Sequence, residues 1–384
     1  MDHDITPYVV HEALVEDHRF DGLRSGEGCI APLRDGSLLL VYGKFSGPAD
    51  HDFATLTERR STDGGLHWSR PRVFRRTPKG VLNLMSASLL PLGDGRLAAV
   101  FLRKKTIDTD CRPCFMTSAD GGRTWSEPVC MAGRVGYYVV NNDRLVQLSG
   151  GRLVAPYCWH GSPFNADIWN ARCGCLLSDD LGATWREGRE EIKVEAANVL
   201  FPKLVDPRVP DIVKDIREGH VQCQEPGVVE LADGRVFMWC RTPGGYAYGA
   251  FSSDGGETWS PFKAISEFAM PCGPQSIMRL PGSGRLVMLF NDRGSVPYGH
   301  EQWHWRRPLT IAVSDDNAAT WRRHGLLEPD TVPSNCYYSI CLHGANVLFT
   351  YYEGVMYATK QGLLAPRNLA SLKLKIVRRE YFDL

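Results

Sequence analysis

The chain alternates short apolar runs with tight polar turns, a pattern that predicts β-hairpins. Five segments share an apolar run, a Gly-containing turn and a second apolar run: "APLRDGSLLLVYG", "LLPLGDGRLAAVF", "VQLSGGRLVAPY", "VVELADGRVFMWC" and "IMRLPGSGRLVMLF". Asp-Gly or Gly-Gly between strand-like runs is the strongest short-range hairpin signal. A sixth segment, "YYSICLHGANVLFTYYEG", has the same form. Because helical periodicity is almost missing between them, the pattern predicts an all-β protein.

A second motif follows each of the first five hairpins. Octets of the form S-x-D-x-G-x-T-W, complete or nearly so, recur roughly every sixty residues. They span Ser61–Trp68, Ser118–Trp125, Ser178–Trp185, Ser252–Trp259 and Ser314–Trp321. We expect each to be a structural turn in which the aspartate accepts backbone N–H groups, the glycine takes positive φ and the tryptophan packs beneath the hairpin.

The repeats predict a six-bladed β-propeller, since radial repetition of four-stranded units leaves few exposed strand edges. A single domain covers residues 1–384, and an early strand around "YVVHEALV" is a candidate to complete the short last blade. The predicted blades are 24–75, 79–131, 134–190, 217–264, 268–328 and 332–376.

Charge and composition exclude several classes of protein. Lysine and arginine total 44, as do aspartate and glutamate, so no basic excess favours nucleic acid. Neither a bilayer-spanning apolar run nor a signal peptide is visible, and we expect a cytoplasmic protein with no membrane partner. The 12 cysteines are scattered, and the Cys111–Cys114 C-x-x-C lacks a second pair at zinc spacing. We predict neither metal nor cofactor.

The octets, set on a six-unit propeller, resemble the Asp-box (BNR) repeats of the sialidase, or neuraminidase, superfamily. The resemblance implies a retaining, metal-independent exo-glycoside hydrolase that releases a terminal acidic sugar such as sialic acid from a glycan. It also implies an active site at the propeller axis, where the first strand of each blade begins. The oligomeric state stays open.

Two segments carry the implied nucleophile and its base. In the fourth unit, "QCQEPGVVELADGRVFMWCRT" is similar to the sialidase segment that supplies a glutamate and an arginine, here Glu225 and Arg241. In the sixth, "YYSICLHGANVLFTYYE" implies Tyr338 as the nucleophilic tyrosine. A neutral phenol approaches an anomeric carbon bearing a carboxylate without repulsion, and it needs a base because its pKa is near 10. An arginine fork suits the carboxylate itself.

Further residues are implied in the fifth and first units. "RRPLTIAVSDD" resembles the segment with another carboxylate-binding arginine, which places Arg306 first and Arg307 next; Gln275 joins them as a substrate-binding candidate. The general acid of sialidases comes from the loop before the first Asp box, where this chain offers Asp52, our first choice, and Asp50.

The first unit departs from the sialidase pattern. Alignment on the Asp-Gly turn places the arginine of the R-I-P-like motif at Gly26, with Arg24 two positions away and Glu27 adjacent. The charged side chain nearest to the expected guanidinium is therefore a carboxylate, that of Glu27. Two alternatives stay open: a polysaccharide lyase for uronic-acid glycans, with His51 or Tyr338 as base and Arg241 neutralising the uronate, and a non-catalytic sugar-binding propeller.

Other polar groups are weaker candidates. H-E-x-x-H at 300–304 would bind zinc on a helix, but neighbouring prolines and glycine favour a polar loop. An insertion at 186–219 could shape the cleft. Histidines near inner strands could contact substrate, and Asn141, Asn142 and Asp143 could do so or cap a strand end. The histidines are His51, His160 and His220.

Overall fold

The computed structural model describes most of the chain. Two sequence candidates, His220 and the 300–304 motif, lie outside the described residues, as do residues 201–219 of the insertion. The described residues are 2–160, 171–200, 221–294, 306–358 and 364–384.

Twenty-five β-strands and three short 3₁₀ helices make up the regular structure of the described residues. The first strands are β1 Val9–Glu16, β2 Arg24–Pro32, β3 Leu38–Phe45, β4 Ala54–Ser61, β5 Arg72–Arg75, β6 Asn83–Pro91, β7 Leu97–Lys104, β8 Cys111–Ser118 and β9 Val129–Cys130. The next are β10 Tyr138–Val139, β11 Val146–Gln147, β12 Leu153–Trp159, β13 Arg172–Ser178, β14 Arg186–Glu187, β15 Gln224–Glu230, β16 Val236–Arg241, β17 Tyr248–Ser252 and β18 Lys263–Ala264. The last are β19 Ser276–Arg279, β20 Leu286–Asn291, β21 Leu309–Ser314, β22 Arg322–Glu328, β23 Asn335–His343, β24 Asn346–Ala358 and β25 Leu364–Arg378. The 3₁₀ helices span Thr6–Tyr8, Ala196–Asn198 and Arg379–Asp383.

These strands form six antiparallel units within the described chain. β2–β5 and β6–β9 are the first two blades, and a single parallel pair, Ala54 with Asn83, joins them into one sheet. β10–β14, β15–β18 and β19–β22 form the next three. The last blade has the order β23-β24-β25-β1, with His11 of β1 opposite Ile376. The predicted all-β propeller is confirmed, and its described residues contain no helix long and apolar enough to cross a membrane.

The apolar core lies between neighbouring blades. Val41 and Leu56 of the first blade, for example, share a buried cluster with Leu89 and Phe101 of the second. Burial of each such side chain contributes about 1.5–3 kcal/mol relative to exposure. This packing holds the six inner strands around one axis.

The octets are structural turns, as predicted. In the second blade, Thr124 donates its N–H to Asp120 Oδ1 at 2.8 Å and its hydroxyl to Asp120 Oδ2 at 2.6 Å. The Gly122 N–H donates to Ser118 Oγ at 2.8 Å, and the Trp125 indole donates to the Gly122 carbonyl at 3.2 Å. The hydrogen bonds from Thr124 lower the pKa of Asp120 well below its usual value. All these contacts are local.

In every blade but the fifth, a non-glycine residue with positive φ lies in the first strand or, in the third blade, in the turn between β10 and β11. In four blades a bulge shifts the strand register there, as between Gly26 and Cys29 in β2. Bulges re-aim side chains, and non-glycine residues in this region of φ are strained. The five residues are Glu27 (φ 51), Ser86 (φ 57), Asp143 (φ 58), Glu225 (φ 46) and Tyr337 (φ 59).

Candidate active site

A cavity of about 350 Å³ opens beside this ring of strained residues. Five blades and their connections contribute to its wall, so it lies at the convergence of the inner strands. It is lined by Asp50, Ile107, Asp108, Tyr137, Val139, Cys158, His160, Gln222, Gln224, Glu225, Arg241 and Tyr337.

A tyrosine–glutamate pair lies in the wall of the cavity. The Tyr337 hydroxyl donates to Glu225 Oε1 at 3.0 Å, and both residues occupy the positive-φ position of their strands. Burial, reinforced by the Glu225 charge, raises the pKa of Tyr337 far above its usual value. The phenol is therefore neutral at rest, with a carboxylate oriented to take its proton. Glu225 Oε2 has no hydrogen-bond partner in the described part of the chain.

The structure does not bring Tyr338 to this pair. Tyr338 is only 1% exposed and belongs to the apolar cluster between the fifth and sixth blades. Its hydroxyl donates to Asn291 Oδ1 at 2.7 Å and also lies 3.0 Å from the Asn335 carbonyl, so its one proton is directed to these two oxygens. The prediction that Tyr338 pairs with Glu225 is wrong, because the bulge turns the preceding residue, Tyr337, toward the axis.

Arg241, at the end of β16, contacts the glutamate of the pair. Its Nη2 lies 3.2 Å from Glu225 Oε1, while Nε and Nη2 donate to Gln224 Oε1 at 3.1 and 2.6 Å. Burial would lower the pKa of Arg241, but the Glu225 charge raises it above its usual value, so the guanidinium is charged. Its Nη1 has no hydrogen-bond partner among the described residues.

Arg306 lies beside the tyrosine, although it is not among the residues that line the cavity. Its guanidinium carbon is 5.5 Å from the Tyr337 ring centroid, within cation–π range. Nη1 donates to Cys336 Sγ at 3.5 Å and Nη2 to the Cys272 carbonyl at 3.3 Å, while Nε has no partner in the described chain. Two buried guanidiniums, each with a nitrogen unpaired in the described chain, therefore lie near Tyr337.

Arg24 is the third arginine near the axis, and protein groups hold all three of its nitrogens. Nε donates to Tyr352 Oη at 2.7 Å, Nη1 to Asp50 Oδ1 at 2.5 Å, and Nη2 to Glu27 Oε1. The Ser86 hydroxyl donates to Glu27 Oε2 at 2.6 Å. Burial raises the pKa of Glu27 more than Arg24 lowers it. Desolvation alone would raise the pKa of Asp50, but Arg24 and other nearby cations outweigh it, and the pKa lies below its usual value.

The residue aligned with the missing sialidase arginine is a glycine for a steric reason. A Cβ on Gly26 would lie 2.2 Å from the Tyr352 ring, so no side chain fits there. Arg24 enters the site from two residues earlier, and Glu27 occupies the positive-φ position that Glu225 occupies in the fourth blade.

Of the two acid candidates, the structure brings only Asp50 to the cavity. The Asp52 carboxylate accepts the Ala49 N–H at 2.7 Å and so closes its own loop, away from the cavity lining. Asn83 fixes the loop by donating to the carbonyls of Asp50 and Asp52 at 2.9 and 3.0 Å. His51 is exposed and does not line the cavity.

Two other predicted substrate contacts point elsewhere. Arg307 Nε pairs with Asp330 Oδ1 at 2.9 Å on a partly exposed loop. Gln275 is 2% exposed, and its amide donates to the Gly273 carbonyl at 2.7 Å. Neither residue lines the cavity.

His160, in contrast, does line the cavity. Its Nε2 lies 3.3 Å from Cys158 Sγ, and its ring meets the Tyr137 ring edge-on. Burial, reinforced by the Arg241 charge, lowers the pKa of His160 to about 4. The imidazole is therefore uncharged at neutral pH. No group of three or more metal-ligating side chains is placed to hold a metal ion within the described ranges.

The Asn-Asn-Asp run ties the blades together at the axis. Asn142 donates its amide to the carbonyls of Gly28 and Tyr337 at 3.0 and 3.3 Å, and Asp143 Oδ2 accepts the Ile340 N–H at 2.9 Å. Arg144, which the sequence did not single out, donates to backbone carbonyls of the fourth blade and the adjoining Gln275. These hydrogen bonds connect the third blade to the first, fourth and sixth blades.

Comparison with known proteins agrees with this architecture. The BNR repeat-like domain family matches residues 103–357. The sialidase of Micromonospora viridifaciens is 25% identical over 89% of this chain, which spans about half (53%) of that relative. Trypanosoma rangeli sialidase in complex with the inhibitor DANA superposes with a TM-score of 0.70 at 15% identity, covering 98% of this chain and 61% of that one.

A second solved structure covers the whole propeller. A Dyadobacter fermentans protein of unknown function matches with a TM-score of 0.64 and 16% identity, over 97% of this chain and all (100%) of that one. At such identities the structural likeness establishes the fold alone. The chain belongs to the BNR repeat-like domain family and is a distant homologue of sialidases.

Proposed function

We propose that this protein is a retaining exo-glycoside hydrolase that releases a terminal acidic sugar, sialic acid or a relative, from a glycan. The observation that carries the proposal is the 3.0 Å hydrogen bond from Tyr337 to Glu225. Arg241 and Arg306 add two buried guanidiniums with unused N–H groups beside that pair. A carboxylate bound to them would satisfy donors that the described protein leaves unpaired.

In the first step, the Tyr337 oxygen attacks the anomeric carbon while Glu225 takes the phenolic proton. The bond from that carbon to the leaving-group oxygen breaks, and a carboxylic acid protonates this oxygen. Of the two acid candidates, Asp50 is the one whose side chain lines the cavity. Because Arg24 holds the pKa of Asp50 low in the free protein, Asp50 must gain its proton in the substrate complex. In the second step, Asp50 takes a proton from water, the water oxygen replaces the tyrosine at the anomeric carbon, and Glu225 returns its proton to the phenolate.

Substitution of the tyrosines tests the assignment. Tyr337→Phe keeps the ring and removes the nucleophile, so we expect release of 4-methylumbelliferone from its sialic acid or glucuronic acid glycoside to fall at least about a thousandfold. Tyr338→Phe is the matched control: it removes a buried hydrogen bond, costs about 1 kcal/mol of stability and leaves turnover unchanged. Equal activities of the two variants would rule out Tyr337 as nucleophile.

A second candidate, a uronate lyase, is favoured by one observation. The uncharged His160 imidazole lines the same cavity and lies close enough to Arg241 for the charge to affect its pKa. His160 could take the proton next to a uronate carboxylate that Arg241 neutralises. Ultraviolet absorbance of an unsaturated sugar product separates the two reactions, because hydrolysis generates none.

A further inference from the structure

Arg24 and Asp50 form an ion pair with unequal burial at the edge of the cavity. The Arg24 side chain is 0% exposed, whereas that of Asp50 is 59% exposed on the loop between β3 and β4. The other partners of Arg24, Glu27 and Tyr352, are buried. The Pro48 carbonyl accepts a long hydrogen bond from Nη1 at 3.5 Å. Of the three side chains that hold the guanidinium, Asp50 is thus the one that solvent or a ligand can replace.

The surroundings of Asp50 favour exchange of one carboxylate for another. Arg24, Lys104 and Arg306 all lie near enough to lower the pKa of Asp50, and Lys104 donates to the Asp50 carbonyl at 3.2 Å. Three cations therefore lie around this edge of the cavity, and of the two carboxylates that pair with Arg24, Asp50 is the exposed one. Removing that carboxylate without a substitute would leave a buried guanidinium partly unpaired, which is costly.

We propose that Asp50 is a specificity-determining residue. Asp50 pairs with Arg24 in the free protein, and a ligand carboxylate replaces Asp50 in this ion pair on binding. The proposal rests on the hydrolase function proposed above and adds a reason for selectivity. A neutral sugar offers no anion to Arg24 and leaves the Arg24–Asp50 pair intact. An acidic sugar replaces Asp50, which then moves out of the field of Arg24 and holds a proton more readily, as a general acid must.

Binding of a charged inhibitor and of its neutral ester tests this exchange. The probes are DANA, whose carboxylate is free, and DANA methyl ester, with affinities measured by calorimetry for the wild type, Asp50→Ala and His51→Ala. Because the competing carboxylate is gone, Asp50→Ala should bind DANA about fivefold more tightly. It should bind the ester as the wild type does. His51→Ala is the control from the same loop: its side chain is exposed and does not line the cavity, so it should change neither affinity by more than about twofold.

Each outcome decides the proposal. Unchanged or weaker DANA binding by a folded Asp50→Ala variant would overturn it, as would equal tightening for the ester or failure of the wild type to bind DANA. Calorimetric melting shows whether the variants are folded. Binding needs no turnover, so activity in Tyr337→Phe would refute the hydrolase while leaving the exchange measurable. A lack of tightening would refute the exchange and leave the hydrolase intact.

Discussion

Glu27 and Glu225 occupy the same backbone position in two blades, yet their surroundings differ. Both lie at the positive-φ position of an inner-strand bulge beside an arginine. Protein groups engage both oxygens of Glu27, through Arg24 and Ser86. Glu225 holds Tyr337 with one oxygen and leaves the other unpaired in the described chain.

The difference divides the site of the free protein into a satisfied half, whose charged groups pair with one another, and an open half, which keeps unpaired polar atoms in the described chain. In the first blade, Arg24 is neutralised by two carboxylates and supports the loop that carries Asp50. In the fourth and fifth blades, Arg241 and Arg306 keep unpaired N–H groups next to the tyrosine. Under the proposed function, equivalent backbone positions in two blades therefore hold a supporting carboxylate, Glu27, and a reacting one, Glu225.

Exchanging each glutamate for glutamine gives the largest expected effect. Glu225→Gln cannot accept the Tyr337 proton, so turnover of the acidic glycoside should fall about 10²–10⁴-fold. Glu27→Gln leaves the Tyr337 pair in place and should retain activity within about tenfold. Initial rates on one substrate compare the two. Comparable losses in both variants would mean that the two carboxylates are not divided between support and chemistry.

Removing an arginine from the open half should affect binding. Arg241→Ala deletes a charged contact to the ligand carboxylate, worth about 1.5–3 kcal/mol, so KM should rise roughly 10–100-fold. Arg307→Ala is the control, because Arg307 pairs with Asp330 outside the cavity. Michaelis constants for an acidic glycoside provide the measurement. An unchanged KM in Arg241→Ala would indicate that the ligand carboxylate binds elsewhere.

The fold could be predicted from local signals, because each octet and each hairpin turn forms its contacts within a few residues. Asp120 bonds Thr124 and Ser118, and no distant residue is needed to specify that turn. Five such turns and the sixth hairpin set the number and phase of the blades. The prediction survives even where Ala318 replaces glycine, since its N–H still reaches Ser314 Oγ at 3.0 Å.

The site was less predictable, because its details depend on bulges and loop closure. A bulge in β23 decides that Tyr337 rather than Tyr338 meets Glu225, and two adjacent tyrosines look alike in sequence. The Asp52 carboxylate accepts the Ala49 N–H, whereas Asp50 pairs with Arg24. Residue spacing does not reveal the second contact, because its partners are distant in sequence. Positive φ at corresponding positions of the blades does identify Tyr337, but this feature is visible in the backbone and not in the sequence.

The smallest expected effect concerns pH and the satisfied half of the site. Burial raises the pKa of Glu27 above 4.5 despite Arg24, with Ser86, Asp50 and Glu225 also nearby. The folded state then keeps a proton that the unfolded chain has released, so the contribution of Glu27 to stability is greatest below pH 4.5 and falls as pH rises through its folded pKa.

Glu27→Gln should remove this slope, at most about 1.4 kcal/mol per pH unit, from the free energy of unfolding. Denaturant titrations from about pH 4 to about pH 8 measure it, with the 94% exposed Glu127, changed to glutamine, as control. Parallel profiles for the wild type and Glu27→Gln would mean that Arg24 keeps Glu27 ionised throughout, and that the two halves of the site differ in their contacts but not in their protonation.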